Sequence, residues 1–141
     1  MARFRAILLA LPLLGGNAPT ASVDVQVSGL RNARGLVQVC LTRDPGHFPS
    51  CDQDPRAVSQ TIAAATAKLD VGGLPPGTYA IALFHDENSN RKLDKFMGVP
   101  REGFGFSRNP VIRFGPPKFE QVDINLAPGL TRQTVRVQYI L

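Results

Sequence analysis

Residues 78–85, Thr-Tyr-Ala-Ile-Ala-Leu-Phe-His, constrain the fold of this chain more than any other stretch. In an extended chain Tyr79, Ile81 and Leu83 point one way, and Ala80, Ala82 and Phe84 the other, because strand side chains alternate. A strand that is apolar on both sides needs cover on both faces. It therefore belongs in the middle of a sheet, at the centre of the fold. Pro76-Gly77 supplies a turn directly before it.

The flanking sequence reads as further strands. Val23, Val25 and Val27 alternate with Asp24, Gln26 and Ser28, giving one buried and one wet face. After a turn over residues 29–35, Val37, Val39 and Leu41 share a face of a second strand over 36–42. Residues 57–67 are ambiguous: Val58, Ile62 and the alanines fit a helical turn, whereas Ser59, Thr61 and Thr66 suit a strand. A strand over 67–71 precedes the central one. Near the end, Val122, Ile124 and Leu126 alternate with polar residues, Pro128-Gly129 turns, and Val135, Val137 and Tyr139 alternate again. About seven short strands joined by Gly/Pro turns predict an all-β fold, a single antiparallel β-sandwich.

Residues 86–118 interrupt this rhythm. A connection of more than about 15 residues is unusual in a compact domain and is often functional. Five phenylalanines, Phe96, Phe104, Phe106, Phe114 and Phe119, lie in or just beyond it and argue for order, since disordered segments are poor in aromatics. The expectation is one long ordered loop pinned to the sheets by its rings.

The first residues carry a different message. Arg3 and Arg5 precede an apolar stretch from Ala6 to Leu14, followed by small residues. This is the layout of a secretory signal peptide over residues 1–18, with Ala21 as the latest cleavage point. An apolar core this short falls well below the roughly 20 residues that span a bilayer. Cleavage leaves residues 19–141 as one domain, exported to the periplasm or the extracellular space, with no later transmembrane segment. The formal charge of +5 includes Arg3 and Arg5. What remains after their loss is too little, in an exported protein, to imply nucleic acid.

Cys40 and Cys51 are the only cysteines, and in an exported chain such a pair reads as a disulfide. Closing a loop of this length stabilises by about 2–3 kcal/mol in the chain-entropy model. Zinc competes through the intervening His47, but the C-x-x-C pairing of zinc sites is missing.

Several motifs together resemble one family. They are Gly29-Leu30 with Gly35-Leu36-Val37, Leu74-Pro75-Pro76-Gly77-Thr78-Tyr79-Ala80-Ile81, and His85-Asp86-Glu87-Asn88 with Asn90 and Lys92-Leu93-Asp94. Gly98-Val99-Pro100-Arg101-Glu102-Gly103-Phe104-Gly105-Phe106-Ser107 and Arg113-Phe114-Gly115-Pro116-Pro117 with Phe119 complete the set. The chain resembles DUF2141, exported bacterial proteins of unknown function, over nearly all of its mature length. The resemblance implies a prealbumin-like or immunoglobulin-like sandwich and no established activity, substrate or cofactor.

Chemistry concentrates in residues 86–94. Asp86, Asn88, Asn90 and Asp94, with the Lys92 carbonyl, fall at positions 1, 3, 5, 9 and 7 of a calcium loop. Met97 occupies position 12, where such loops carry a bidentate carboxylate, and Arg91 stands where a glycine makes the sharp turn. The competing reading is a turn whose Asp and Asn side chains bond their own backbone. Calcium is thus the one candidate cofactor.

Catalysis has little to build on. Gly105-Phe106-Ser107 lacks the closing glycine of a nucleophile elbow. His85 continues the buried face of the central strand, and His47 is expected to be solvated. The chain reads as a non-enzymatic binding or structural module of the envelope. A calcium-stabilised module is the alternative, and a hydrolase comes third. Arg101, Glu102, Phe104 and Phe106 form the candidate binding edge, the two phenylalanines as an exposed pair between glycines. Its basic and aromatic character suits an envelope protein, a polysaccharide or an anionic lipid surface.

Overall fold

The computed structural model describes residue 16 and residues 18–141. Nearly all of the expected signal peptide lies outside the described residues. Ten strands form among the described residues, β1 (Ala21–Ser28), β2 (Leu36–Thr42), β3 (Val58–Ala63), β4 (Lys68–Leu74), β5 (Gly77–Asp86), β6 (Lys95–Phe96), β7 (Val99–Pro100), β8 (Phe104–Phe106), β9 (Ile124–Leu126) and β10 (Gly129–Arg136). The count exceeds the expected seven mainly because the long loop builds the short β6, β7 and β8. The ambiguous stretch resolves as the strand β3, exposed along most of its length at a sheet edge.

One sheet runs β10-β1-β4 and a second runs β3-β2-β5-β8, with β9 paired to the start of β5; β6 and β7 make a separate hairpin. The pairing of β1 with β10 is parallel, Val27 opposite Val135, which corrects the expectation of a purely antiparallel arrangement. A tight hairpin forces its two strands to run antiparallel, whereas these two are joined by almost the whole domain and carry no such constraint.

The expected central strand is central. β5 is hydrogen-bonded to β2 on one side and to β8 and β9 on the other. Tyr79, Ile81 and Leu83 enter the main core with Val23 and Val25 of β1, Val37 and Val39 of β2 and Val135 of β10, so both larger sheets contribute to one apolar interior. β1 alternates buried and half-buried residues along its whole length, as its valines predict.

The opposite face of β5 is small. Ala80 and Ala82 leave room for the rings of Phe104, Phe106 and Phe119, which with Val122 form a second buried cluster. Phe48 closes it from above, its ring 5.9 Å from Phe106 and 6.0 Å from Phe119. Phe48 is held there by its own loop, which the Cys40–Cys51 disulfide closes. A 3-10 turn at Phe119–Gln121 replaces the start of the expected strand, so Val122 packs into this second cluster rather than the main core.

Candidate functional site

β5 ends at Asp86, and the loop that follows is tied to that residue. Asp86 is fully buried. Its Oδ1 accepts the Asn90 N–H at 3.1 Å, and its Oδ2 accepts the Arg91 N–H at 2.8 Å and the Gln38 side-chain amide at 3.1 Å. Two successive backbone amides are thereby folded back onto one carboxylate. Arg91 has φ of 63°, so it takes the left-handed conformation for which glycine is preferred, at a cost of about 1–2 kcal/mol.

Asp94 closes the other end. It accepts the Asn88 side-chain amide at 2.7 Å and that of Asn90 at 2.9 Å. These amides, Asn90 first, hold the Asp94 carboxyl below the usual aspartate range. The Asn90 Oδ1 accepts the Lys92 N–H at 3.0 Å, and the Asn88 Oδ1 accepts the Asn90 N–H at 3.3 Å. The loop's oxygens are therefore engaged by its own amides, which is the geometry of a self-bonded turn.

Glu102 joins this loop to the next segment. Its side chain is buried, with Oε1 accepting the Asp94 N–H at 3.0 Å and Oε2 the Glu87 N–H at 2.7 Å. Burial pushes its pKa up, against the pull of those two amides. Glu87 faces outward to Asn32 and Arg31, the latter at 2.6 Å. Burial raises the Glu87 pKa, but these donors outweigh it and leave the carboxyl below its ordinary value. Arg31 also stacks on Tyr139, 4.5 Å from the ring centre, and donates to the Leu141 and Arg101 carbonyls. Sequence reasoning missed Gln38, Glu87 and Arg31 because their partners lie 48 to 110 positions away, and no local pattern marks them.

The expected binding edge divides. Arg101 is exposed and lies over Phe96, 5.0 Å from the ring centre. Glu102 is the buried tie just described. Phe104 and Phe106 are each only 6 % exposed, which overturns their reading as an exposed pair. The glycines beside them have another purpose. A Cβ on Gly105 would meet the Arg136 carbonyl oxygen at 2.7 Å, and one on Gly103 would overlap Tyr139 and Val137. The end of β10 lies against the glycine face, and the rings turn to the other face, under Phe48 and Phe119.

His85 is fully buried. Its Nε2 donates to the Arg34 carbonyl at 2.7 Å, leaving Nδ1 to accept the Tyr139 hydroxyl at 2.9 Å. His47, expected to be solvated, keeps 39 % of its side chain exposed and is bonded through Nδ1 to Asp44 Oδ2 at 2.6 Å. The Gly46 N–H and His47 hold the Asp44 carboxyl below its ordinary range. Asp54 completes a cluster whose ligand atoms lie within 4.8 Å of one another, but it already accepts the Thr42 hydroxyl and the Arg56 N–H. The two cysteines form a disulfide, which removes them as zinc ligands.

A groove of about 550 Å³ opens on the outer face of the second sheet. Phe84, Phe106 and Ile112 contribute apolar surface, Ser50 and Asp52 of the disulfide loop border it, and Arg91 and Lys95 line it from the long loop. Its volume lies in the range of about 300–1,000 Å³ found for small-molecule sites.

A family model described as an uncharacterized protein conserved in bacteria, DUF2141, matches residues 25–134. No curated protein and no solved structure matches the chain.

Proposed function

Because the chain belongs to the uncharacterised bacterial family DUF2141, and its matched region carries a disulfide and an open groove, we propose that it is an exported, non-enzymatic binding module of the bacterial envelope. The two larger sheets stack as a β-sandwich, and the long loop over residues 86–118 forms the working edge. The observation that carries this reading is the groove on the outer face of the second sheet, lined in part by residues of the disulfide loop and of the long loop. The disulfide supports export, since such bonds persist in oxidising compartments. Signal cleavage after Ala18 would leave β1 whole, whereas cleavage after Ala21 would remove a buried residue that pairs with Leu74 and Gly129.

The engaged state of the side chains that could catalyse supports a binding role. His85 has both ring nitrogens bonded within the interior. Ser107 is fully buried, its hydroxyl donating to the Val122 carbonyl and accepting the Ile81 N–H. Neither is free to attack or deprotonate a substrate in the groove.

Expression of the full chain in a bacterium, followed by fractionation and intact mass measurement, tests the reading. The expected product is recovered from the envelope, begins at Pro19, and carries its two cysteines oxidised. A full-length, reduced chain in the cytoplasm would overturn it.

A second reading is a calcium-stabilised module. It is favoured by the way Asp86 draws in the Asn90 and Arg91 amides while Arg91 adopts the left-handed turn expected at that point of a calcium loop. Calcium would have to displace the Asn88 and Asn90 amides from Asp94, so affinity should be of order 0.1–1 mM, as in extracellular modules. Millimolar calcium is expected to raise the melting temperature of chelator-treated protein and to lose that effect in Asp94→Ala. Absence of any shift or binding heat in the unmutated chain would rule this reading out.

A further inference from the structure

The segment that buries Phe104, Phe106 and Phe119 leaves other large apolar side chains outside. Met97 is 88 % exposed, Val111 81 % and Phe114 97 %. They belong to two loop segments, and both segments line the groove: Arg91, Lys95 and Gly98 from the first, Ile112, Gly115 and Pro116 from the second. A ring as exposed as Phe114 buries almost no surface within the fold and is therefore available to a partner.

The surroundings of the tips are cationic. Residues 91–118 carry Arg91, Lys92, Lys95, Arg101, Arg108, Arg113 and Lys118 against Asp94 and Glu102. Glu102 is buried, and Asp94 is occupied by asparagine amides. Arg108 pairs with Asp123, whereas Arg91, Lys95 and Arg113 form no ion pair among the described residues. A protein interface favours a continuous apolar centre depleted of charge. Here the apolar points are separate and stand among unpaired cations, the arrangement that suits the headgroup boundary of an anionic bilayer.

We propose that this edge docks on an anionic lipid bilayer, with Met97 and Phe114 entering the headgroup–acyl boundary and Arg91, Lys95 and Arg113 facing the headgroups. The proposal rests on the envelope-module reading and names its partner. Each cation near the surface raises partitioning about fivefold at low salt, and salt weakens the attraction. The two apolar tips supply a salt-independent share.

The chain contains no tryptophan, so Phe114→Trp in the mature protein provides a single reporter. Its emission is expected to shift to the blue with phosphatidylglycerol–phosphatidylcholine vesicles at low salt and to stay unchanged with phosphatidylcholine alone. In co-sedimentation, Met97→Ser/Phe114→Ser should lower the partition coefficient at least about tenfold while melting like the unmutated chain. Lys95→Glu/Arg113→Glu should weaken binding at low salt and flatten its salt dependence. No emission shift with anionic vesicles, or undiminished sedimentation of the serine variant, would overturn bilayer docking. If docking fails while the oxidised, processed chain is still recovered from the envelope, the binding-module reading stands and its partner is a protein or polysaccharide. A cytoplasmic, unprocessed chain overturns both.

Discussion

Replacing Gly35 by alanine should destabilise the protein by about 2–5 kcal/mol, a large share of the roughly 5–15 kcal/mol that holds a domain together. Gly35 has φ of +70°, and a Cβ there would overlap the Asp86 carbonyl oxygen and approach the Glu87 carbonyl oxygen at 2.6 Å. Both obstacles are backbone, so no rotamer change relieves them. The left-handed conformation costs about 1–2 kcal/mol for a residue with a Cβ, and forcing the contact adds about 1–3 kcal/mol. The neighbours cannot simply withdraw, because Leu36 pairs with Asp86 and the Gly35 carbonyl accepts the Ala64 N–H. Gly73 is the control. It has φ of +67° but open space around its missing Cβ, so Gly73→Ala should cost only the conformational part. The two denaturant midpoints decide the matter: equal shifts would show that the close approach at Gly35 contributes nothing.

Glu102→Ala should cost about 2–4 kcal/mol, because it removes one acceptor from each of two backbone amides. Asp94 N–H and Glu87 N–H lie on opposite ends of the candidate loop, and the single buried carboxylate spans them. Hydrogen exchange should therefore accelerate at these two amides beyond the global loss of stability. Glu102→Gln keeps one acceptor but turns an NH₂ group toward the other amide, so it should fall between the two. The pH dependence gives a further check. Because burial raises the Glu102 pKa in the fold, the folded protein binds that proton more tightly than the unfolded chain. Its contribution then declines as pH rises from the ordinary glutamate value through the folded one. The lowered Asp94 and Glu87 values act oppositely, stabilising at higher pH and failing as acid protonates them. Glu102→Gln should remove the first slope and leave the second. A midpoint unchanged in Glu102→Ala would show that water replaces the carboxylate without loss.

The elements legible in the sequence were those whose periodicity matches their burial. The valines of β1 and the doubly apolar β5 lie where alternation places them, because period-two burial is a local property of an extended chain. The order of the long loop was legible too, from its aromatic content. Which of its rings are covered was not. Phe104 and Phe106 look exposed beside their glycines, but those glycines admit the end of β10. That contact joins residues more than 30 positions apart in sequence, and local reading has no access to it. The same holds for Phe96, Met97 and Phe114, which in sequence resemble the rings that became core.

For residues 86–94 the chain alone identified the place and its oxygen-rich chemistry. The amino-acid types establish that a loop rather than a strand follows β5, and that its Asp and Asn side chains can bind either amides or a cation. Tertiary structure decided how those groups are used here. It brought Gln38 from β2 onto Asp86 and Glu102 from beyond the β6–β7 hairpin onto Asp94 and Glu87. Local sequence thus determines conformational preference and donor inventory. Partner choice, burial and the cationic, apolar-tipped edge arise only when distant segments compete for the same space around one strand.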